Sequence, residues 1–289
     1  MSSAFRNWIV AARPRTLPAA LVPVLVGLAV ASRAGPVDWP AAAATLGAAL
    51  LIQIGTNLAN DYYDFVSVAD TADRLGPQRI TQAGLVEPGA VRRAALAVLA
   101  LAAAIGIRLV EVGGWPILVI GILSLLSAIA YTGGPWPLAY HGLGDLFVFL
   151  FFGVFAVNGT VWLQGVEPSA FSLAASLPVA CLATAILVVN NLRDIVTDER
   201  AGKRTLAVRL GAAAARVEYV SLVSIALLAP LLLARFAGGR ALLALGALPL
   251  AVLEARALLR RTGRELNASL AGTARLHLVF GVLLAGGLA

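Results

Sequence analysis

The chain has 289 residues, of which 60% are hydrophobic and only 13% charged. Soluble domains carry about 25% charged residues, so this chain cannot cover a soluble surface, and its hydrophobicity excludes intrinsic disorder. One cysteine, Cys181, excludes a disulfide-stapled fold, and the net charge of +7 lies between apolar runs rather than in a nucleic-acid-binding tail.

Those apolar runs approach 20 residues, the length that crosses a hydrocarbon core as a helix, and not the roughly 10-residue alternating strands of an outer-membrane barrel. In chain order they predict nine spans, over residues 17–32, 41–60, 92–110, 115–132, 143–163, 171–192, 217–234, 241–258 and 274–289. The first ends in Ala29-Val30-Ala31-Ser32-Arg33-Ala34, which resembles a signal-peptide cleavage region. Pro18 and Pro23 interrupt its apolar core, so it reads as a retained span. The expected fold is an all-α membrane protein, one domain over residues 1–289.

Loop charge orients this bundle. Of the 22 basic residues, 21 are Arg and one is Lys203. Eighteen fall on the side of the N-terminal tail and the second, sixth and eighth loops. Only Arg33, Arg108, Arg235 and Arg240 fall on the other, a positive-inside bias that puts the N-terminus in the cytoplasm. Trp8, Trp39, Trp115, Trp136 and Trp162 sit near span ends, where interfacial anchors belong. Two cytoplasmic loops, about 61–91 and 193–216, are longer and more polar than a connection needs.

The end of the second span reads Asn57-Leu-Ala-Asn60-Asp61-Tyr-Tyr-Asp64; that of the sixth reads Asn190-Asn191-Leu-Arg193-Asp194-Ile-Val-Thr-Asp198. Residues three or four apart share a helix face. Asn57, Asp61 and Asp64 therefore form one stripe, and Asn190, Asp194 and Asp198 another, as in a duplicated unit. Carboxylates are unfavourable at a helix C-terminus, which argues against simple solvated ends. A hard cation such as Mg²⁺ takes one or two carboxylates and completes its shell with water and phosphate, so two facing pairs suit a metal-bridged diphosphate whose departure is stabilised electrostatically.

Basic residues nearby fit the remaining diphosphate charge. The second loop offers Asp70, Asp73, Arg74 and Arg79 around Gly76-Pro77, and the sixth Lys203-Arg204-Thr205. A topogenic role explains each cation equally well. Arg74, Lys203 and Arg204 are preferred for nearness to an Asp pair, Arg13 and Arg15 are weaker, and Arg92 and Arg93 read as topogenic. Neither His141 nor His277 has metal-ligand spacing, and Gly153 and Gly159 suit close helix packing.

With these motifs four spans apart, the chain resembles the UbiA superfamily of membrane prenyltransferases. Further stretches resemble its 1,4-dihydroxy-2-naphthoate polyprenyltransferase branch. They are Ala12 to Ala19, Ala69-Asp70-Thr71 through Arg74-x-Gly76-Pro77, Thr81-Gln82-x-Gly84-Leu85, Tyr131-Thr132-Gly133-Gly134-Pro135, Gly142-Leu143-Gly144-Asp145 and Ala201 to Gly211. The likeness covers about residues 8–211. It implies a bundle around a central cavity open to the cytoplasm and laterally to lipid, in a bacterial-type cell membrane. It also implies a polyprenyl diphosphate held by Mg²⁺ on Asp61, Asp64, Asp194 and Asp198, with Asn57, Asn60, Arg74, Arg79, Asn190, Lys203 and Arg204 on the diphosphate. An allylic cation would then alkylate the naphthoate ring, CO2 would leave, and demethylmenaquinol would result. Many superfamily members carry a basic residue shortly after the fourth-span tyrosine; Tyr131 is followed by none. Tyr131 suits either cation stabilisation or interfacial anchoring. Asp145 suits either acceptor positioning or helix capping. The competing readings are another aromatic acceptor, such as 4-hydroxybenzoate, homogentisate or a haem, and a secondary transporter. CDP-alcohol phosphotransferases fit less well, because they keep their acids in one contiguous motif.

Overall fold

The computed structural model describes residues 3–67 and 74–289, and these are helical with no strand. The motif residues Asp70 and Asp73 lie outside the described residues. Ten α-helices follow in order: α1 Ser3–Ala12, α2 Pro18–Ala31, α3 Trp39–Val66, α4 Pro88–Ala130, α5 Gly144–Phe149, α6 Ala156–Leu163, α7 Ala170–Arg200, α8 Leu206–Ala237, α9 Leu248–Arg260 and α10 Leu266–Leu288. Among the described residues seven helical runs are long and apolar enough to cross a membrane, and an eighth if α1 and α2, bent by 50°, count as one. The 43-residue α4 is non-helical at Gly114 (φ 66°, ψ −155°), a conformation that L side chains rarely adopt. The chain is a multi-pass membrane protein.

Helix boundaries depart from the hydropathy reading at the polar ends. The apolar runs were expected to stop at 60 and 192, with the acidic stripes carrying the helices on to Asp64 and Asp198; α3 ends at Val66 and α7 at Arg200. The expected sixth loop, 193–216, shrinks to the five residues between α7 and α8, because hydropathy fades where the helix does not. Local chemistry sets the true ends. Asp38 accepts the Ala41 amide to cap α3, Ser169 and Ser172 form a reciprocal capping box at α7, and Thr205 accepts the Val208 amide to start α8.

Helix α7 is the hub. It packs on α2, α5, α8 and α10, and most of its apolar stretch is buried. The main core gathers Val22, Val26, Val179, Leu182, Tyr219, Phe280 and Leu284 from α2, α7, α8 and α10. A smaller cluster of Leu58, Ile80 and Val91, with Trp8 against it, seats α1 and the residues before α4 on α3. The five tryptophans divide: Trp39, Trp115 and Trp136 are exposed as expected of anchors, whereas Trp8 packs inward and Trp162 donates to the Gly113 carbonyl at 2.7 Å.

Between α5 and α6 the helix widens into one π-helical stretch, Leu150–Phe155. Gly153 there touches α7 so closely that a Cβ would lie 2.1 Å from the Ala180 Cβ and 2.4 Å from its Cα. Gly153→Val should therefore cost about 1–3 kcal/mol by overpacking, read as a lower thermal midpoint of the purified protein in detergent; an unchanged midpoint would contradict this packing.

Candidate active site

The polar ends of α3 and α7 meet. Asp64, 2% exposed, accepts from Arg79 Nη2 at 2.8 Å and from Lys203 Nζ at 2.8 Å. Arg79 precedes α4 and Lys203 follows α7, so one carboxylate joins three segments. Asp198, a turn before Lys203, stands 3.9 Å from the same ammonium. Burial alone would push the Lys203 ammonium down, but Asp64, then Asp198, outweigh it and hold the amine above its ordinary value. Tyr140 adds a ring face 5.5 Å away.

The other two predicted carboxylates are satisfied differently. Asp61, 1% exposed, accepts the main-chain amides of Ile80 (3.2 Å) and Thr81 (3.1 Å). Asp194 is gripped by the guanidinium of Arg193 next to it, Nε to Oδ1 at 2.8 Å and Nη2 to Oδ2 at 2.6 Å. Arg193 is itself buried, donates to Asn190 (2.8 Å) and Asn267 (2.9 Å), and lies against Gly76, where a Cβ would be 2.8 Å from Nη2. Asn267 on α10 returns a hydrogen bond to the Leu75 carbonyl. Residues 74–81 are thus laid across both motifs by main-chain and guanidinium contacts.

The remaining predicted residues take varied places. Asn60 accepts from the Thr132 hydroxyl at 2.8 Å. Asn57 donates to the Ala12 carbonyl and Thr16 hydroxyl, each at 3.0 Å, and so ties α3 to the elbow at Arg13, whose φ of 51° turns the chain. Asn190 faces Arg193. Arg74 bonds the Pro77 carbonyl and acts electrostatically on Asp198. Arg204 is exposed and held through its main chain by Tyr140 and Arg209. Arg15 is exposed. Tyr131 lies within electrostatic reach of Asp145, Asp198 and Asp64 together.

A cavity of about 640 Å³ begins at Asn57, Asn60 and Tyr131 and runs between apolar faces of α2 to α6. Its wall is almost wholly hydrophobic, including Phe147, Phe151, Phe152 and Phe155. An ionic cluster at the mouth of an apolar slot suits an amphiphile with a multiply charged head and a long apolar tail.

Sequence reasoning passed over Arg193, Asn267 and Thr132. Arg193 was counted only as topogenic charge; its position one residue before Asp194 was the available signal. Thr132 lay within the Tyr131-to-Pro135 stretch that carried the resemblance but was given no role of its own, and Asn267 carries no sequence signal beyond being polar beside an apolar run.

Sequence comparison now decides the family: the profile of the UbiA prenyltransferase family matches residues 20–279. The chain belongs to the UbiA prenyltransferase family. It is 39% identical over 288 residues to a 1,4-dihydroxy-2-naphthoate octaprenyltransferase of Mycobacterium tuberculosis, covering 99% of this chain and 98% of that one. The Escherichia coli protein of the same name is 40% identical over 72% of this chain and 70% of its own. Among solved structures, a UbiA homolog from Archaeoglobus fulgidus bound to DMAPP and Mg²⁺ superposes with a TM-score of 0.66 at 16% identity, over 96% of this chain and 99% of that one. The helical fold is the UbiA fold.

Arg193 makes a direct test of the site's charge balance. Arg193→Leu leaves Asp194 buried without its cation, which should cost about 3–5 kcal/mol. Thermal unfolding of Arg193→Leu against the Arg193→Leu/Asp194→Asn double variant measures it. The double variant should recover most of the loss, and an equal loss in both would refute the pairing.

Proposed function

We propose that this UbiA-family protein transfers a polyprenyl group from a polyprenyl diphosphate to 1,4-dihydroxy-2-naphthoate, releasing diphosphate and CO2 and yielding demethylmenaquinol. The observation that carries the reading is the meeting of both acidic helix ends at Lys203, 2.8 Å from Asp64 and 3.9 Å from Asp198, beside an apolar cavity. The near full-length identity to a relative named for that acceptor supports the choice within the family. We read the chain as one domain over 1–289 with nine spans, Gly114 dividing α4 into two and α1–α2 forming the first, and the site facing the cytoplasm of a bacterial-type inner membrane. Loop charge supports that orientation.

Two of the four acids keep donors for a divalent cation, while Asp64 and Asp194 are engaged by Arg79, Lys203 and Arg193, and among the described residues no three acids stand close enough to share one ion. Among the described residues Asp198 has one ion pair, at 3.9 Å, and each oxygen of Asp61 accepts one amide hydrogen, leaving lone pairs for a metal. Asp61, Asp64, Asp194 and Asp198 would hold Mg²⁺, whose charge, when bound, stabilises the departing diphosphate. Arg79 and Lys203 are already desolvated next to Asp64 and bind diphosphate oxygens through charge-assisted hydrogen bonds; Arg74, Arg204, Asn60 and Asn190 complete that shell. Asn57 supports it by fixing the elbow before α2. Tyr131, at the cavity mouth, presents an aromatic face to the allylic carbon as positive charge develops. The apolar slot excludes water from that cation.

Incubating the purified protein with a polyprenyl diphosphate, a panel of aromatic acceptors and Mg²⁺ tests this, with products read by mass spectrometry. Turnover is expected with 1,4-dihydroxy-2-naphthoate alone, lost with EDTA and lost in Asp61→Ala and Asp194→Ala. Retained activity in either variant would remove the metal role assigned to it.

A further inference from the structure

Asp145 stands apart from the other acids of the site. It lies in the first turn of α5 and is 6% exposed, yet neither carboxylate oxygen has a hydrogen-bond partner in any other residue described. Asp61, Asp64 and Asp194 are buried as deeply and every one is satisfied. A buried carboxylate whose one donor is its own main-chain amide is costly. Its place in the first turn of a helix returns only about 0.3–1 kcal/mol of that through the dipole. An unsatisfied group of this kind calls for a donor that arrives from outside.

Its surroundings say where that donor comes from. Gly144 has no Cβ, and one there would lie 2.9 Å from the Tyr131 hydroxyl, so the phenol rests on the first turn of α5 beside Asp145. Tyr131 lines the cavity, as do Phe147 and Val148 less than a turn farther along the same helix, while Asp145 itself is reached past the Tyr131 phenol and is not part of the wall. Tyr131, which follows α4, and Glu218 from α8 act electrostatically with Asp145, and the nearby cation of α8, Arg209, is spent on the Arg204 and His141 carbonyls. Among the described residues no cation donates to its carboxylate.

We propose that Asp145 accepts a proton from the ring hydroxyl next to the acceptor's carboxylate and later returns it; this rests on the prenyl transfer proposed above. The step balances. The ring carbon that bears the carboxylate gives its π pair to the allylic carbon, and the carbon–oxygen bond to diphosphate breaks, its pair leaving with diphosphate. The adjacent hydroxyl becomes a carbonyl as its proton passes to Asp145. The bond to the carboxylate then breaks, CO2 leaves, and its electron pair restores the aromatic ring while the carbonyl oxygen takes the proton back. No net proton is consumed, so a carboxylate with no side-chain partner among the described residues suits the task.

The test uses the full-length protein in detergent with a polyprenyl diphosphate, Mg²⁺, and either 1,4-dihydroxy-2-naphthoate or its 1-O-methyl ether. Asp145→Asn should lower kcat by about 100-fold or more while leaving KM for the prenyl diphosphate within about threefold. Wild type should strongly prefer the free hydroxyl, and Asp145→Asn should treat the two acceptors alike. Because the substitution removes an unsatisfied charge, Asp145→Asn should melt at or above the wild-type temperature, whereas loss of a mere helix cap would lower it. A kcat near wild type, a retained preference for the free hydroxyl, or a lowered melting temperature each overturns the assignment of Asp145 alone. Failure of wild type to transfer the prenyl group to 1,4-dihydroxy-2-naphthoate overturns the parent reading, and this one with it.

Discussion

The site depends on one shared carboxylate. Asp64 is almost wholly withdrawn from solvent and takes a guanidinium from before α4 and an ammonium from after α7. An isolated charge at that depth is costly, and removing one partner of a buried pair typically costs about 3–5 kcal/mol. The three segments are therefore held together by electrostatics and not by apolar packing alone. Two helix ends far apart in the chain become one site because neither can leave without stranding a charge. The same arrangement keeps two cations desolvated and aimed at the place where a diphosphate is proposed to sit, so they need no reorganisation when it arrives.

The two acidic motifs look alike along the chain and are not alike in space. The first is satisfied from a distance, by main-chain amides at Ile80 and Thr81 on Asp61 and by two long side chains on Asp64. The second is satisfied locally, by Arg193 on its neighbour Asp194, with Asn190 and Asn267 holding the guanidinium. Their functional symmetry, if the motifs arose by duplication, has been divided. One copy organises residues 74–81 over the site; the other supplies the hub helix on which those residues rest through Gly76.

Hydropathy made the bundle legible because the bilayer imposes a length on every apolar run. The helical spacing of Asp61 with Asp64, and of Asp194 with Asp198, was legible for the same reason that the helix boundaries were not. The stripes lie on polar extensions that remain helical after hydropathy has dropped, so α3 and α7 each run past the ends of their apolar stretches. Partner choice was hidden. Nothing in the order of residues says that Lys203 reaches Asp64 rather than water, or that Asn57 spends its amide on the Ala12 carbonyl and the Thr16 hydroxyl. Arg193 was misjudged because positive-inside counting treats all loop arginines as equal, whereas burial separates this one from exposed neighbours such as Arg200 and Arg204.

The cavity wall shows how backbone irregularity serves the apolar half of the substrate. Phe147, Phe151 and Phe155 recur at four-residue intervals and contact one another, with centroids 5.7 Å and 5.2 Å apart. In a regular helix that interval drifts around the axis by about 40° per step. The π-helical widening at Leu150–Phe155 slows the rotation, so the three rings and Phe152 all face the slot. Gly153 lets this stretch lie against α7, since only a residue without a side chain tolerates Ala180 that close. The widened turn thus does two things at once. It seats α5 and α6 against the hub helix on one side and gathers aromatic side chains into the apolar wall of the slot on the other.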